Sequence, residues 1–250
     1  MQTFNSGGVE IAYHDQGEGE PILLIHGFAS NSAVNWIETG WVRLLTQSGR
    51  RVIAIDNRGH GASEKLYDTE AYGAPVMAGD ARALLDHLEI GSADVMGYSM
   101  GARISAFLTL RHPEKVRSAV FAGLGINMVR GVGGTGPIAA ALEAPSIDDV
   151  ANETARTFRA FAEATRSDLL ALAACMRSSR EKITAEQVGT IRKPVLVAVG
   201  TEDVIGGSAD KLAELIPGGE ALAIEGRDHM KAVGDRRYKE GVLDFLERRA

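Results

Sequence analysis

The chain has 250 residues, 45% hydrophobic and 24% charged, with a formal net charge of −6 at pH 7. That is the make-up of one globular domain with a sizeable core. Acidic and basic residues are mixed along it without a basic stripe, which argues against nucleic acid and anionic membranes as partners. The single cysteine, Cys175, excludes an intrachain disulfide and reads as a small buried apolar residue. Met1-Gln2-Thr3-Phe4-Asn5 lacks the basic start and apolar core of a signal peptide. No apolar run approaches the roughly 20 residues of a bilayer span, so the expected location is cytoplasmic.

In chain order, residues 9–13 alternate and predict an early strand, followed by a turn at Gly17-Glu18-Gly19-Glu20. Short β-branched or apolar runs at 21–25, 52–55, 93–96, 118–122, 194–199 and 221–224 predict six more strands. Continuous runs of this length suit strands covered on both faces, as in a parallel sheet. Apolar residues at helical spacing predict helices over 76–88, 101–110, 208–215 and 238–246. Strand and helix alternating in this way indicate a doubly wound α/β sheet.

The alternation breaks between 126 and 191. Residues 147–166 predict a helix capped by Ser146, and 168–177 a second with Ser167 as its cap. The expected organisation is therefore a core of 1–125 and 192–250 with a helical insertion at 126–191. Gly131-Val132-Gly133-Gly134-Thr135-Gly136 fits G-x-G-x-x-G, but a dinucleotide fingerprint must leave a strand and open a helix at once. Here 126–130 intervenes, and the glycines read as a hinge.

The strongest chemical signal is Gly97-Tyr98-Ser99-Met100-Gly101, directly after a strand and directly before a helix. A serine on that sharp turn is lifted above the sheet edge, and the helix start behind it favours developing negative charge. A serine hydroxyl needs a base. His14, His87 and His112 fall in a strand, a helix and a helix end, and read as structural or solvated. His229 follows the last strand in Gly226-Arg227-Asp228-His229 and reaches the same carboxyl edge as Ser99. The base needs a carboxylate to orient it. Asp203 in Gly200-Thr201-Glu202-Asp203 lies at that edge, with Glu202 as its competitor. The oxyanion donors are assigned to the N–H groups of Met100 and of Phe28, the latter in His26-Gly27-Phe28 after the 21–25 strand. His26 then braces its loop.

These motifs, together with Asp56-Asn57-Arg58-Gly59-His60-Gly61, make the chain resemble the α/β-hydrolase superfamily over essentially its whole length. The resemblance implies a helical lid at 126–191 and serine-triad chemistry with no metal or organic cofactor. It groups the chain with carboxylesterases, enol-lactonases, carbon–carbon bond hydrolases and cofactor-free perhydrolases. Ser99 stands where dehalogenases and epoxide hydrolases carry aspartate. Gly206-Gly207 departs from the proline common in relatives, which is expected to loosen the loop behind Asp203. The expected activity is hydrolysis of a small carboxylic ester or lactone. The alternatives are carbon–carbon cleavage, perhydrolysis, or a small-molecule receptor that keeps a slow triad. Phe158, Phe161 and Met176 are expected in the acyl pocket. Arg156, Arg159 and Arg166 either meet a substrate carboxylate or form a solvated face. The oligomeric state is left open.

Overall fold

The computed structural model describes residues 1–178 and 181–248. Its elements run β1 (Gln2–Ser6), β2 (Val9–Gln16), β3 (Glu20–Ile25), α1 (Trp41–Gln47), β4 (Arg50–Ile55), α2 (Ala74–His87), β5 (Ala93–Tyr98), α3 (Met100–Arg111) and β6 (Val116–Ala122). Then follow α4 (Asn127–Arg130), α5 (Thr135–Glu143), α6 (Glu153–Ala164), α7 (Leu169–Arg177), α8 (Ala185–Val188), β7 (Val195–Gly200), α9 (Ala209–Ala213), β8 (Glu220–Ile224) and α10 (Arg236–Arg248).

The eight strands form one sheet in the order β1-β2-β4-β3-β5-β6-β7-β8. The β1–β2 and β2–β4 pairs are antiparallel and the rest parallel. Successive side chains of a strand point to opposite faces, and the core divides accordingly. Leu23, Ile25, Ile53, Ile55 and Val197 pack with α2, α3 and α9 on one face. Ile22, Leu24, Val52, Ala54 and Leu196 pack with α1 and α10 on the other, around Trp41 and Tyr238. Helices on both faces leave no polar face for the central strands, so β5 and β7 are buried throughout. At the edge, β8 is partly exposed and its burial alternates.

The stretch between β6 and β7 is helical. Its α5 packs on α6 and α7. Ile138, Leu142 and Leu172 continue the apolar cluster on the α2–α3 face, which makes the stretch an extension of the core. Two local expectations are corrected and one strand is added. The helix expected over 147–166 is divided: Ser146 caps one short turn at Ile147–Asp149, and Asn152 caps α6. Asp168, not Ser167, caps α7 by accepting from the Ala171 N–H at 2.9 Å. The first strand was missed: β1 pairs with β2 across the turn at Gly7-Gly8. Cys175 is buried. Among the described residues, no helix is long and apolar enough to cross a membrane.

Candidate active site

β5 ends at Tyr98, and Ser99 turns the chain into α3 with φ 56° and ψ −112°. A positive φ is unfavourable for a residue with a Cβ, by about 1–3 kcal/mol, and is held only where neighbours enforce it. Here the Ser99 N–H donates to the Ala122 carbonyl at 2.7 Å. The glycines on either side are required by close approach. A Cβ on Gly97 would lie 2.1 Å from the Gly101 carbonyl oxygen, and one on Gly101 would lie 2.0 Å from that of Ile25. The first turn of α3 thus sits directly on the end of β3.

His229 comes from the loop after β8. Its Nδ1 lies 2.7 Å from Asp203 Oδ2 and its Nε2 lies 3.0 Å from Ser99 Oγ. An ionised carboxylate only accepts, so Nδ1 carries the ring proton and Nε2 receives the serine hydroxyl. Asp203 Oδ1 accepts from the N–H groups of Ile205 and Gly206 at 2.9 and 2.8 Å. The Asp203 side chain is 0% exposed and that of His229 10%. Glu202 is exposed and does not meet the imidazole. The loop behind Asp203 is tied down, contrary to the looseness expected of Gly206-Gly207. Gly206 accepts from the Gly125 N–H at 2.9 Å, and a Cβ there would lie 2.9 Å from the Gly123 carbonyl oxygen.

Tyr98 reinforces the arrangement from below. Its hydroxyl donates to the His229 carbonyl at 2.6 Å. Burial, with Asp203 and Asp228 nearby, pushes this phenol well above its ordinary range, so it remains a donor. Asp228 accepts from the N–H groups of Met230 and Lys231 at 3.0 and 2.8 Å, which closes the turn carrying His229.

Phe28 follows β3 and Met100 opens α3. Among the described residues, neither backbone N–H donates to another group. The loop beneath Phe28 is built from the 56–61 motif. His26 Nδ1–H donates to the Gly27 carbonyl at 2.7 Å, and its Nε2 accepts from the Asn57 N–H at 2.9 Å. Both ring nitrogens are thereby used in bracing. Asp56 accepts from the Ser32 and Ala62 N–H groups at 2.7 and 2.8 Å. His60 is wholly buried beneath, its ring 5.7 Å from that of Phe28. Burial, then the neighbouring His26, pushes His60 down to about 3, so it is neutral near pH 7.

Ser99 and His229 open into a cavity of about 440 Å³. Phe158 and Phe161 of α6 form its outer wall, and the Phe158 ring lies 6.1 Å from that of Phe28. Met176, expected here, does not line it; α7 turns that side chain into the core against the sheet domain. Arg159 faces away too, its guanidinium donating to the Ala141 and Ala144 carbonyls at 2.7 and 2.9 Å.

Lining residues with no sequence signal include Asn35, Val204 and Met230. Asn35 sits on a single wide helical turn, Ala33–Ile37, and its Oδ1 accepts from the Gly27 N–H at 3.2 Å. Val204 and Met230 directly follow Asp203 and His229, so the loops that carry the polar groups also bring the apolar rim. Among the described residues, no group of three or more His, Cys, Asp or Glu side chains is placed to hold a metal ion.

Residues 20–188 match the model of the family described as alpha/beta hydrolase fold. The chain is 38% identical over 118 residues to a 2-hydroxymuconate semialdehyde hydrolase of Pseudomonas sp. strain CF600, covering 47% of this chain and 41% of that one. It is 36% identical over 114 residues to a non-heme chloroperoxidase of Kitasatospora aureofaciens, covering 45% of this chain and 40% of that one. The matches thus span about two fifths of these relatives' own lengths. The crystal structure of the enol-lactonase from Burkholderia xenovorans LB400 superposes with a TM-score of 0.81 at 21% identity, covering 98% of this chain and 100% of that one. At that identity the likeness speaks for the fold.

Proposed function

Because the chain belongs to the α/β-hydrolase fold family, we propose that it is a serine hydrolase cleaving a small carboxylic ester or lactone through an acyl-enzyme. The observation that carries this reading is the hydrogen-bond relay from Ser99 Oγ through His229 to Asp203, at 3.0 and 2.7 Å. Ser99 Oγ attacks the substrate carbonyl while His229 Nε2 takes its proton. Asp203 holds the Nδ1 proton and stabilises the imidazolium. The N–H groups of Phe28 and Met100 receive the developing oxyanion. Collapse expels the alcohol, to which His229 returns the proton. Water, deprotonated by His229 in turn, then releases the acid and restores Ser99.

In this reading the helical stretch 126–191 is the lid. Support comes from Phe158 and Phe161, which face Ser99 across the cavity. An apolar wall suits acyl binding and the exclusion of bulk water.

The test is a time course with excess p-nitrophenyl acetate and p-nitrophenyl butyrate, extended to a lactone and a diketone. Steady release through many turnovers, lost in Ser99→Ala, is expected. A single burst equal to the enzyme concentration, with no release after it, points instead to a receptor. Cleavage of the diketone alone points to the carbon–carbon chemistry of the hydrolase relatives.

A further inference from the structure

We infer that the cavity at Ser99 selects acyl groups that carry no charge and turns away those that end in a carboxylate. This rests on the serine-hydrolase reading for turnover, but its binding consequence stands apart from it.

Among the described residues, no Lys, Arg, Asp or Glu side chain lines the cavity. Besides Tyr98, Ser99 and His229, the polar members are hydroxyls and an amide: Ser30, Asn35, Thr39, Thr154 and Thr157. Thr39 and Thr157 already donate to the Asn35 and Glu153 carbonyls at 2.7 and 3.0 Å, and none of the five brings a full positive charge.

The cations that surround the cavity are committed elsewhere. Arg159 is buried, held by the carbonyls at the end of α5 and by Glu163 at 2.7 Å. Arg156 donates to the Ile147 carbonyl and pairs with Asp148 at 2.9 and 3.1 Å. Lys231 pairs with Asp228 at 3.1 Å, and Arg227 pairs with Asp235. Lys239 stands behind the wall and donates to the backbone carbonyl of Thr39. Arg166 is exposed and does not line the cavity.

One full charge does stand close by, and it is negative: Asp203, buried behind His229. A second carboxylate on the acyl chain would lose water against apolar walls, with no ion to compensate it and an anion nearby. The field of the α3 start does not alter this, because it is focused on the point where the scissile oxygen sits and falls off within a turn. The same lining favours departure of the product acid, which is itself an anion.

The test compares p-nitrophenyl valerate with mono-p-nitrophenyl glutarate, two acyl chains of equal carbon count that differ in a terminal methyl against a terminal carboxylate. At pH 8 the glutarate is expected to show a kcat/KM lower by about 100-fold. In Thr157→Arg, where the exposed α6 position admits a cation at the wall, the gap is expected to narrow to about tenfold or less. Wild-type values within about threefold of each other overturn the inference. Calorimetric binding of the same esters to Ser99→Ala supplies the second readout. There the valerate is expected to bind more tightly, and equal binding overturns the inference. If neither ester turns over while that preference remains, the catalytic reading fails and the charge selection stands.

Discussion

The sheet edge that carries Ser99 and the helical stretch between β6 and β7 both contain glycine clusters, and the two clusters have opposite causes. At Gly97 and Gly101 a Cβ would collide with backbone at 2.1 and 2.0 Å. At Gly131, Gly133, Gly134 and Gly136 a Cβ would meet nothing within 4 Å. The first pair is fixed by packing; in the second set chain conformation accounts for Gly131 and Gly134, at φ 91° and 83°, while Gly133 and Gly136 have neither constraint. The contrast teaches that the Ser99 turn is held by a part of the molecule that cannot yield. The cavity wall hangs from a part entered through open loop.

The sharpest way to break this contrast is at the acid. Asp203→Asn is expected to lower kcat by about 10⁴, since the amide no longer fixes the imidazole proton on Nδ1. Glu202→Gln, one residue away and exposed, is expected to change it by less than about threefold. Reversed results would make Glu202 the orienting acid.

Next in size is the response to acid. The folded protein protonates His60 only near pH 3, whereas the unfolded chain does so near 6.5. A depressed histidine leaves the unfolded state holding more protons between these values. Stability is therefore full above about pH 6.5 and is lost as pH falls toward 3, by on the order of 4 kcal/mol. His26, lowered by its own burial, acts in the same direction. Urea unfolding at pH 7 and pH 4 measures the loss, and His60→Asn is expected to flatten the difference. An unchanged slope would remove His60 as the cause.

Gly101→Ala is expected to destabilise by about 3 kcal/mol through overpacking. It is also expected to lower kcat by about 10²-fold as Ser99 shifts. Denaturant midpoints and ester assays read both.

The smallest effect belongs to the other cluster. Gly133→Ala is expected to raise stability by about 0.4–1 kcal/mol, because the unfolded chain loses freedom while the folded one has room. If the loop is the hinge of a lid, kcat and KM should move together in the same variant. Destabilisation there would end the contrast.

What the sequence made legible follows the same division. The central strands announce themselves because both faces are covered, which leaves unbroken runs such as Val195–Gly200. Ser99, Asp203 and His229 are readable because each stands just beyond a strand at the same edge. β1 is not, because Gln-Thr-Phe-Asn-Ser buries only Phe4 and Ser6 and gains its structure by pairing with β2. The cavity wall was half readable. Phe158 and Phe161 line it, but Met176 does not, because the turning of α7 against α5 is a tertiary fact with no local signal. Asn35 is hidden for the same reason: its role as a neighbour of Gly27 arises from a wide turn that no spacing rule marks.

The helical stretch leaves the sheet at β6 and returns at β7, and these strands are direct neighbours, with Ala122 paired to Ala198. The two strands run parallel, so the stretch starts beyond the carboxyl end of β6 at Ala122 and returns to the amino end of β7 at Val195, which pairs with Ala119. None of Ser99, Asp203 or His229 lies within it. The stretch is a crossover that must travel the length of the sheet, and on the way Ile138, Leu142 and Leu172 become part of the apolar cluster on the α2–α3 face. A change in its length or composition is therefore felt in that cluster as well as at the cavity wall. The same segment carries two obligations, one to the fold and one to whatever fills the cavity, and it can drift only as far as both permit.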